Sequence, residues 1–384
     1  MRWNLAVFSI AAGLSSHAAA QSFSGSYQFV YAVWQRGSAF AVMGSAVFDG
    51  VGKYTFQGIQ RSTGHSASVT GTGEYTLQPD FTGSISNPLD PLMPPLQLRV
   101  SADLDTLGAS TIDYNSTYQH DLWVAVRAST GKTAADLSGS WGGVANYYSP
   151  APVIARAGRF LFQFDGKGTI SSEDWSWHES DQNNGSLQQS SATGTYTLAA
   201  DGTGTYTTPF GTKRIAVSAD GLSFIGTDDA NGQELIYGVR AGAPTGGLQG
   251  RYHWLQLVSV SPGGNATRGS SFAWSLTNDL GSIDTNGTQR GAGSNQFLDG
   301  ATGRLIDMSA MLGPFTTAGN GYVDLTFGGL SSAGIGVMRS DAAALPWTNI
   351  TSAVTGILFC VYKVRRAGKR RLQGASFSKL PSVE

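Results

Sequence analysis

Four short motifs each occur three times along this chain, always in the same order. One opens a unit: FSGSYQFVY at 23–31, LSGSWGGVA at 137–145 and LQGRYHWLQ at 248–256. A second follows as AVFDGVGKYTFQ at 46–57, FQFDGKGTISSE at 162–173 and SLTNDLGSIDTN at 275–286. A third reads GTGEYTLQPDFTGSI at 71–85, ATGTYTLAADGTGTY at 192–206 and GAGSNQFLDGATGRL at 291–305. The last reads YQHDLWVAVRAS at 118–129, NGQELIYGVRAG at 231–242 and SSAGIGVMRSDA at 331–342. Gly25, Gly139 and Gly250 are 114 and 111 residues apart, and Asp49, Asp165 and Asn278 are 116 and 113 apart. Near-constant spacing of ordered motifs means tandem copies of one unit.

The unit is a chain of hairpins. Asp-Gly pairs tolerate the positive φ angles of tight turns, so FLFQFDGKGTISSE reads strand, turn, strand. In the middle copy about eight strands are expected, near 139–147, 158–165, 169–178, 192–199, 203–208, 213–218, 222–227 and 233–240. Phe160, Phe162 and Phe164 share one face, as do Leu235, Tyr237 and Val239, and no segment sustains a helical period. Fifty-one glycines and only 13% charged residues suit an all-β chain rich in turns. A meander of eight short strands removes its exposed edges by closing into a barrel. The expected fold is therefore all-β: three tandem antiparallel meanders of roughly 110 residues, eight-stranded and barrel-like.

The LSGSWGG opening, with Gly139 and Trp141, resembles the G-x-W start of lipocalin-like and avidin-like barrels. Gly25 with Tyr27 and Gly250 with Tyr252 stand at the same points. The repeat pattern over roughly 22–340 also resembles a β-repeat of large, uncharacterised secreted proteins of soil bacteria. These resemblances imply a calycin-like barrel architecture and bring no activity, ligand set or catalytic residue with them.

The first residues, MRWNLAVFSIAAGLSSHAAAQ, carry Arg2, an apolar stretch from Leu5 to Leu14 and an Ala18-Ala19-Ala20 cleavage-type site. This reads as a signal segment, with the mature chain starting near Gln21 in a secreted or cell-surface setting. The boundaries that follow are a signal segment at 1–20, β-domains at 22–130, 137–243 and 248–340, and a tail at 341–384. The tail reads as disordered or as a degenerate anchor: LPWT at 345–348 is similar to a sortase signal, with an apolar run from Ile350 to Tyr362 and basic residues after it. Membrane contact is expected only through that tail.

The sole cysteine, Cys360, lies there too, so the repeats hold no disulfide, thiol nucleophile or zinc–cysteine site. With the signal, the basic residues from Lys363 onward and Glu384 set aside, 17 basic residues face 25 acidic ones, a net of about −8. Such a balance offers no footprint for nucleic acid.

Chemistry-bearing residues are sparse. His65, His120, His178 and His253 fall at unrelated points of different copies, and no HExxH or G-x-S-x-G occurs. No catalytic, metal or cofactor site is expected. The one unusual stretch is SSEDWSWHESDQNNG at 171–185. There Glu173, Trp175, Trp177 and Glu179 share one strand face, and Asp174 and His178 share the other. Trp175, Trp177 and His178 form a candidate ligand site, an aromatic platform for a carbohydrate or small apolar ligand. The other reading makes both tryptophans barrel core. TDDANGQE at 227–234 lacks the spacing of a calcium loop.

Together these features point to an exported, non-catalytic β-repeat protein for extracellular binding or structural display at a bacterial surface. A small-ligand carrier using barrel interiors is the alternative, and a glycoside or ester hydrolase comes third. A wide, aromatic-lined lumen would favour the carrier; a filled lumen would favour the structural module.

Overall fold

The computed structural model describes residues 23–242, apart from 36–37, 112–118, 151–152 and 180–187, and the strands of a third unit between 249 and 364. Antiparallel strands are joined in sequence order and close into three barrels of eight strands each.

Barrel 1 comprises β1 (Ser24–Gln35), β2 (Ser38–Asp49), β3 (Lys53–Ser62), β4 (His65–Leu77), β5 (Thr82–Ile85), β6 (Leu96–Val100), β7 (Thr106–Ser110) and β8 (Gln119–Arg127). After a short 3-10 helix, Ala134–Leu137, barrel 2 comprises β9 (Gly139–Pro150), β10 (Val153–Phe164), β11 (Thr169–Glu179), β12 (Gln188–Leu198), β13 (Thr203–Thr208), β14 (Gly211–Val217), β15 (Ser223–Asp228) and β16 (Glu234–Arg240). Barrel 3 runs through β17 (Gln249–Val260), β18 (Ser275–Asn286), β19 (Gly291–Asp299), β20 (Arg304–Thr317), β21 (Tyr322–Phe327), β22 (Ala333–Val337), β23 (Trp347–Asn349) and β24 (Ile357–Val364).

The recurring Asp-Gly motif is the same turn twice. Asp49 Oδ1 accepts the amides of Val51 and Lys53 at 2.8 and 2.9 Å, and Asp165 Oδ1 accepts those of Lys167 and Thr169 at 2.7 and 2.8 Å. The flanking glycines take φ values of 81° and 107° in barrel 1 and 77° and 111° in barrel 2, which side chains with a Cβ resist. These amides hold both exposed carboxyls below the usual aspartate range.

The opening and closing strands clasp each other. Tyr27 lies opposite Arg127 in the β1–β8 ladder, and Trp141 lies opposite Arg240 in the β9–β16 ladder. The Arg127 guanidinium sits 5.1 Å from the Tyr27 ring centre, and that of Arg240 sits 4.8 Å from Trp141. Arg240 also donates to the carbonyls of Asp136 and Ser138, both at 2.5 Å, while Trp141 Nε1 donates to Leu137 at 2.8 Å. The 3-10 helix is thus tied across one end of barrel 2. Arg240→Ala is expected to lower the unfolding free energy by about 2 kcal/mol, the scale of hydrogen bonds to a charged group. Urea titration of the full chain measures this, and Arg240→Lys should recover only part of the loss, because an ammonium cannot span both carbonyls.

The third copy corrects the motif assignment. SLTNDLGSIDTN lies within a single unbroken strand, β18, and Asn278 pairs inside it with Leu257 and Leu298. GAGSNQFLDGATGRL covers β19 and the start of β20, the third and fourth strands, whereas its partners in copies one and two cover the fourth and fifth. SSAGIGVMRSDA contains β22, the sixth strand rather than the last. The strand that closes barrel 3 is β24, which pairs with β17 and places Lys363 opposite Tyr252. Its residues, with β23, fall in the span read as a tail or anchor, so the end of the apolar run, Ile357–Tyr362, lies in a strand of barrel 3. Asp, Asn and Gly occur both in turns and inside strands here, so composition did not fix the register.

Alternation sets what each face meets. In barrel 1, Tyr27, Phe29, Tyr31, Phe48, Tyr54, Phe56 and Trp123 point inward into one buried cluster. The opposite face of the same strands is apolar too. Val30, Ala32, Trp34, Leu122, Val124 and Val126 pack against Val144, Tyr148, Ile225, Leu235, Tyr237 and Val239 of barrel 2. Leu235, Tyr237 and Val239 therefore face the neighbouring barrel, not their own lumen. Strands β8, β15 and β16 are buried on both sides, and barrels 1 and 2 form one packed pair.

Candidate functional site

The interior of barrel 2 is aromatic through most of its length. Phe160, Phe162 and Phe164 line β10 inward, with Trp141, Trp175, Tyr196, Tyr206 and Phe224 around them. Ring centres lie 4.5 Å apart for Phe160 and Phe162 and 5.3 Å for Phe160 and Trp175.

At the end away from the 3-10 helix, polar groups enter this core. Glu173 of β11 is fully buried, with Oε1 taking a short hydrogen bond from Trp175 Nε1. Lys213 of β14 forms a buried ion pair with Glu234 of β16. Tyr206 of β13 is fully buried with an unpartnered hydroxyl, and Glu173 Oε2 also lacks a hydrogen bond. Desolvation pushes the Glu173 carboxyl up to about 7, against the opposing pull of Trp175, Thr208 and Lys213. Burial pulls the Lys213 ammonium down, but Glu234 more than offsets it and the net shift is upward.

The paired ladders show why barrel 2 differs. Glu173 opposes Phe162 in barrel 2, whereas Phe56 opposes Ala46 at the same level of barrel 1. A carboxyl thus stands where barrel 1 has a phenyl ring. One level further, Trp175 against Phe160 replaces Gly58 against Gly44. An acid does recur in both barrels at the start of the last strand. Asp121 opposes Val33, and Glu234 opposes Tyr147. Asp121 is fully buried and accepts from Tyr31 at 2.7 Å and from the Thr111 amide and hydroxyl, both at 2.6 Å. Desolvation raises its pKa despite these donors.

Trp175 and Trp177 come together around Phe210, each 6.1 Å from its ring in edge-to-face contact. Trp175 belongs to the core, while Trp177 is partly exposed at the rim. The side chain of His178 and that of Glu179 lie outside the described residues; Asp174 faces outward and is exposed. Sequence reading missed Lys213, Glu234, Tyr206 and Asp121. A signal for two of them was present: DLWVAVR and ELIYGVR each place one acid six residues ahead of the clasping arginine in an otherwise apolar strand.

A general acid has to touch its substrate, and Glu173 is fully buried beside Trp175. Among the described residues, Asp103, Asp105 and Asp220 bring carboxylate oxygens within 4.8 Å of one another. Each already has a donor: Ser101 for Asp103, Arg127 for Asp105 and Ser218 for Asp220. An open groove of about 670 Å³ also runs over the outer face of barrel 1, past Val47, Lys53, Thr72, Glu74 and Pro91.

No family model matches this chain, and no curated protein matches it. Among solved structures, it is similar to intact Ap-TbpB, with N and C lobes, at 9% identity and a TM-score of 0.23, covering 89% of this chain and 77% of that one. It is also similar to transferrin binding protein B of Haemophilus parasuis, at 10% identity and a TM-score of 0.24, covering 89% and 76%. A third likeness is to a DUF3598-family protein of unknown function from Nostoc punctiforme, at 10% identity and a TM-score of 0.18, covering 75% and 94%. Scores this low assign no function.

Proposed function

We propose that this chain is an exported, non-catalytic barrel-repeat protein that acts outside the cell by binding or structural display, through its outer surfaces and not its lumens. The observation that carries this reading is the filling of barrels 1 and 2 by the described side chains. Phe29, Phe48, Phe56 and Trp123 occupy the space of one, and Phe160, Phe162, Trp175 and Phe224 that of the other. A carrier needs that space for its ligand. The packed pairing of barrels 1 and 2 supports a rigid display element. The signal-like first residues and the resemblance to secreted β-repeats of soil bacteria agree with a secreted or surface setting.

The purified chain, incubated with a panel of glycosides and esters, is expected to show no turnover above the blank. Turnover by the parent that disappears in a folded Glu173→Gln variant would overturn the reading and make Glu173 a general acid.

A further inference from the structure

We infer that the outer edge of β4 is a self-association surface, through which two copies of this chain join their first barrels edge to edge in antiparallel register. β4 pairs with β3 from His65 to Glu74 but with β5 only from Tyr75 to Leu77. Among the described residues, 65–73 therefore have a ladder on one side only.

The direction of the free groups follows from the bonds at the end of the strand. The Tyr75 amide donates to the Gly52 carbonyl at 2.8 Å, on the β3 side. Its neighbour Glu74 faces the other way: its amide donates to Ser86 Oγ at 2.9 Å and its carbonyl accepts the Ser86 amide at 2.8 Å. Alternation along the strand then aims the N–H and C=O groups of Thr72, Thr70, Ser68 and Ser66 away from β3. Those four residues are all exposed.

Free edges are normally blunted by charge, proline or a bulge. Residues 66–73, SASVTGTG, contain neither charge nor proline, and their register with β3 is unbroken. A second copy is the occupant that fits. With two strands antiparallel and centred on Val69, Ser66 opposes Thr72 and Ser68 opposes Thr70. Each outward N–H then meets a C=O, hydroxyl side chains meet hydroxyl side chains, and no like charges face each other. The arrangement is two-fold symmetric and closes on itself.

The register gives a sharp test in the full chain. Val69 lies on the two-fold axis in a non-hydrogen-bonded pair, where Cα atoms approach to about 4.5 Å, within disulfide reach. Ala67 opposes Gly71 of the other copy, which puts it roughly 13 Å from its own counterpart. Under mild oxidation Val69→Cys is expected to form a covalent dimer at least about tenfold faster than Ala67→Cys or the parent with its single Cys360. Light scattering of the parent should show the mass rising toward twice the monomer as concentration increases. Ser68→Lys, on the exposed face, should hold it at the monomer mass. A parent that stays monomeric, a dimer that survives Ser68→Lys, or equal cross-linking at 67 and 69 would each overturn the proposal.

Discussion

Glu173→Gln is expected to stabilise the protein at pH 8 by about 3 kcal/mol and to leave it almost unchanged at pH 4. The Glu173 carboxyl rises from 4.5 to about 7 in the folded chain because burial disfavours its charged form. Between those values the folded state keeps a proton that the unfolded chain has released. Stability from this group is thus present at low pH and lost as pH rises through 7. Glutamine has the shape of the protonated acid, still accepts from Trp175 Nε1, and keeps a polar group beside Thr208. Thermal melts of both chains from pH 4 to pH 8 check this: the two curves should meet at low pH and diverge above 5. Parallel curves would mean that the carboxyl titrates normally.

Trp34→Ala is expected to cost about 3–5 kcal/mol, the range for deleting a buried aromatic side chain. Trp34 is fully buried between the barrels, 5.5 Å from the Tyr148 ring. The loss should also separate the unfolding of barrel 1 from that of barrel 2, because Trp34 belongs to the apolar cluster that couples them. Trp34→Phe makes the contrast. It keeps most of the contact and removes an indole N–H that has no hydrogen-bond partner, so its cost should stay below about 1.5 kcal/mol. Denaturant unfolding followed by calorimetry distinguishes the two variants.

Much of the barrel architecture could be read from residues near each other in the chain. The Asp-Gly turns at 49–53 and 165–169 are local chemistry, and all eight strands expected in the middle copy are present. Less was legible where partners are distant. β16 alternates plainly, yet alternation does not say that Leu235, Tyr237 and Val239 meet Trp34 and Leu122 of another barrel. Nothing in the SEDWSWH stretch signals that the Glu173 environment is completed by Lys213 and Tyr206, which arrive from β14 and β13. Trp175 and Trp177 converge on Phe210, each edge-on, with Trp175 in the core, and that arrangement needs Phe210 from a different part of the chain. In the third copy, Asn278 and Asp279 look like a turn by residue type, although both pair within β18.

The filled lumen is the central claim, and ligand titration tests it most directly. The purified chain would be titrated with an apolar fluorescent probe and with a glycan panel, while tryptophan emission reports on Trp123, Trp141 and Trp175 inside the barrels. The account predicts no saturable uptake by the lumens and no change in the emission of these buried rings. One ligand bound per barrel at saturation, with quenching or a shift of the buried tryptophans, would contradict it and restore the carrier.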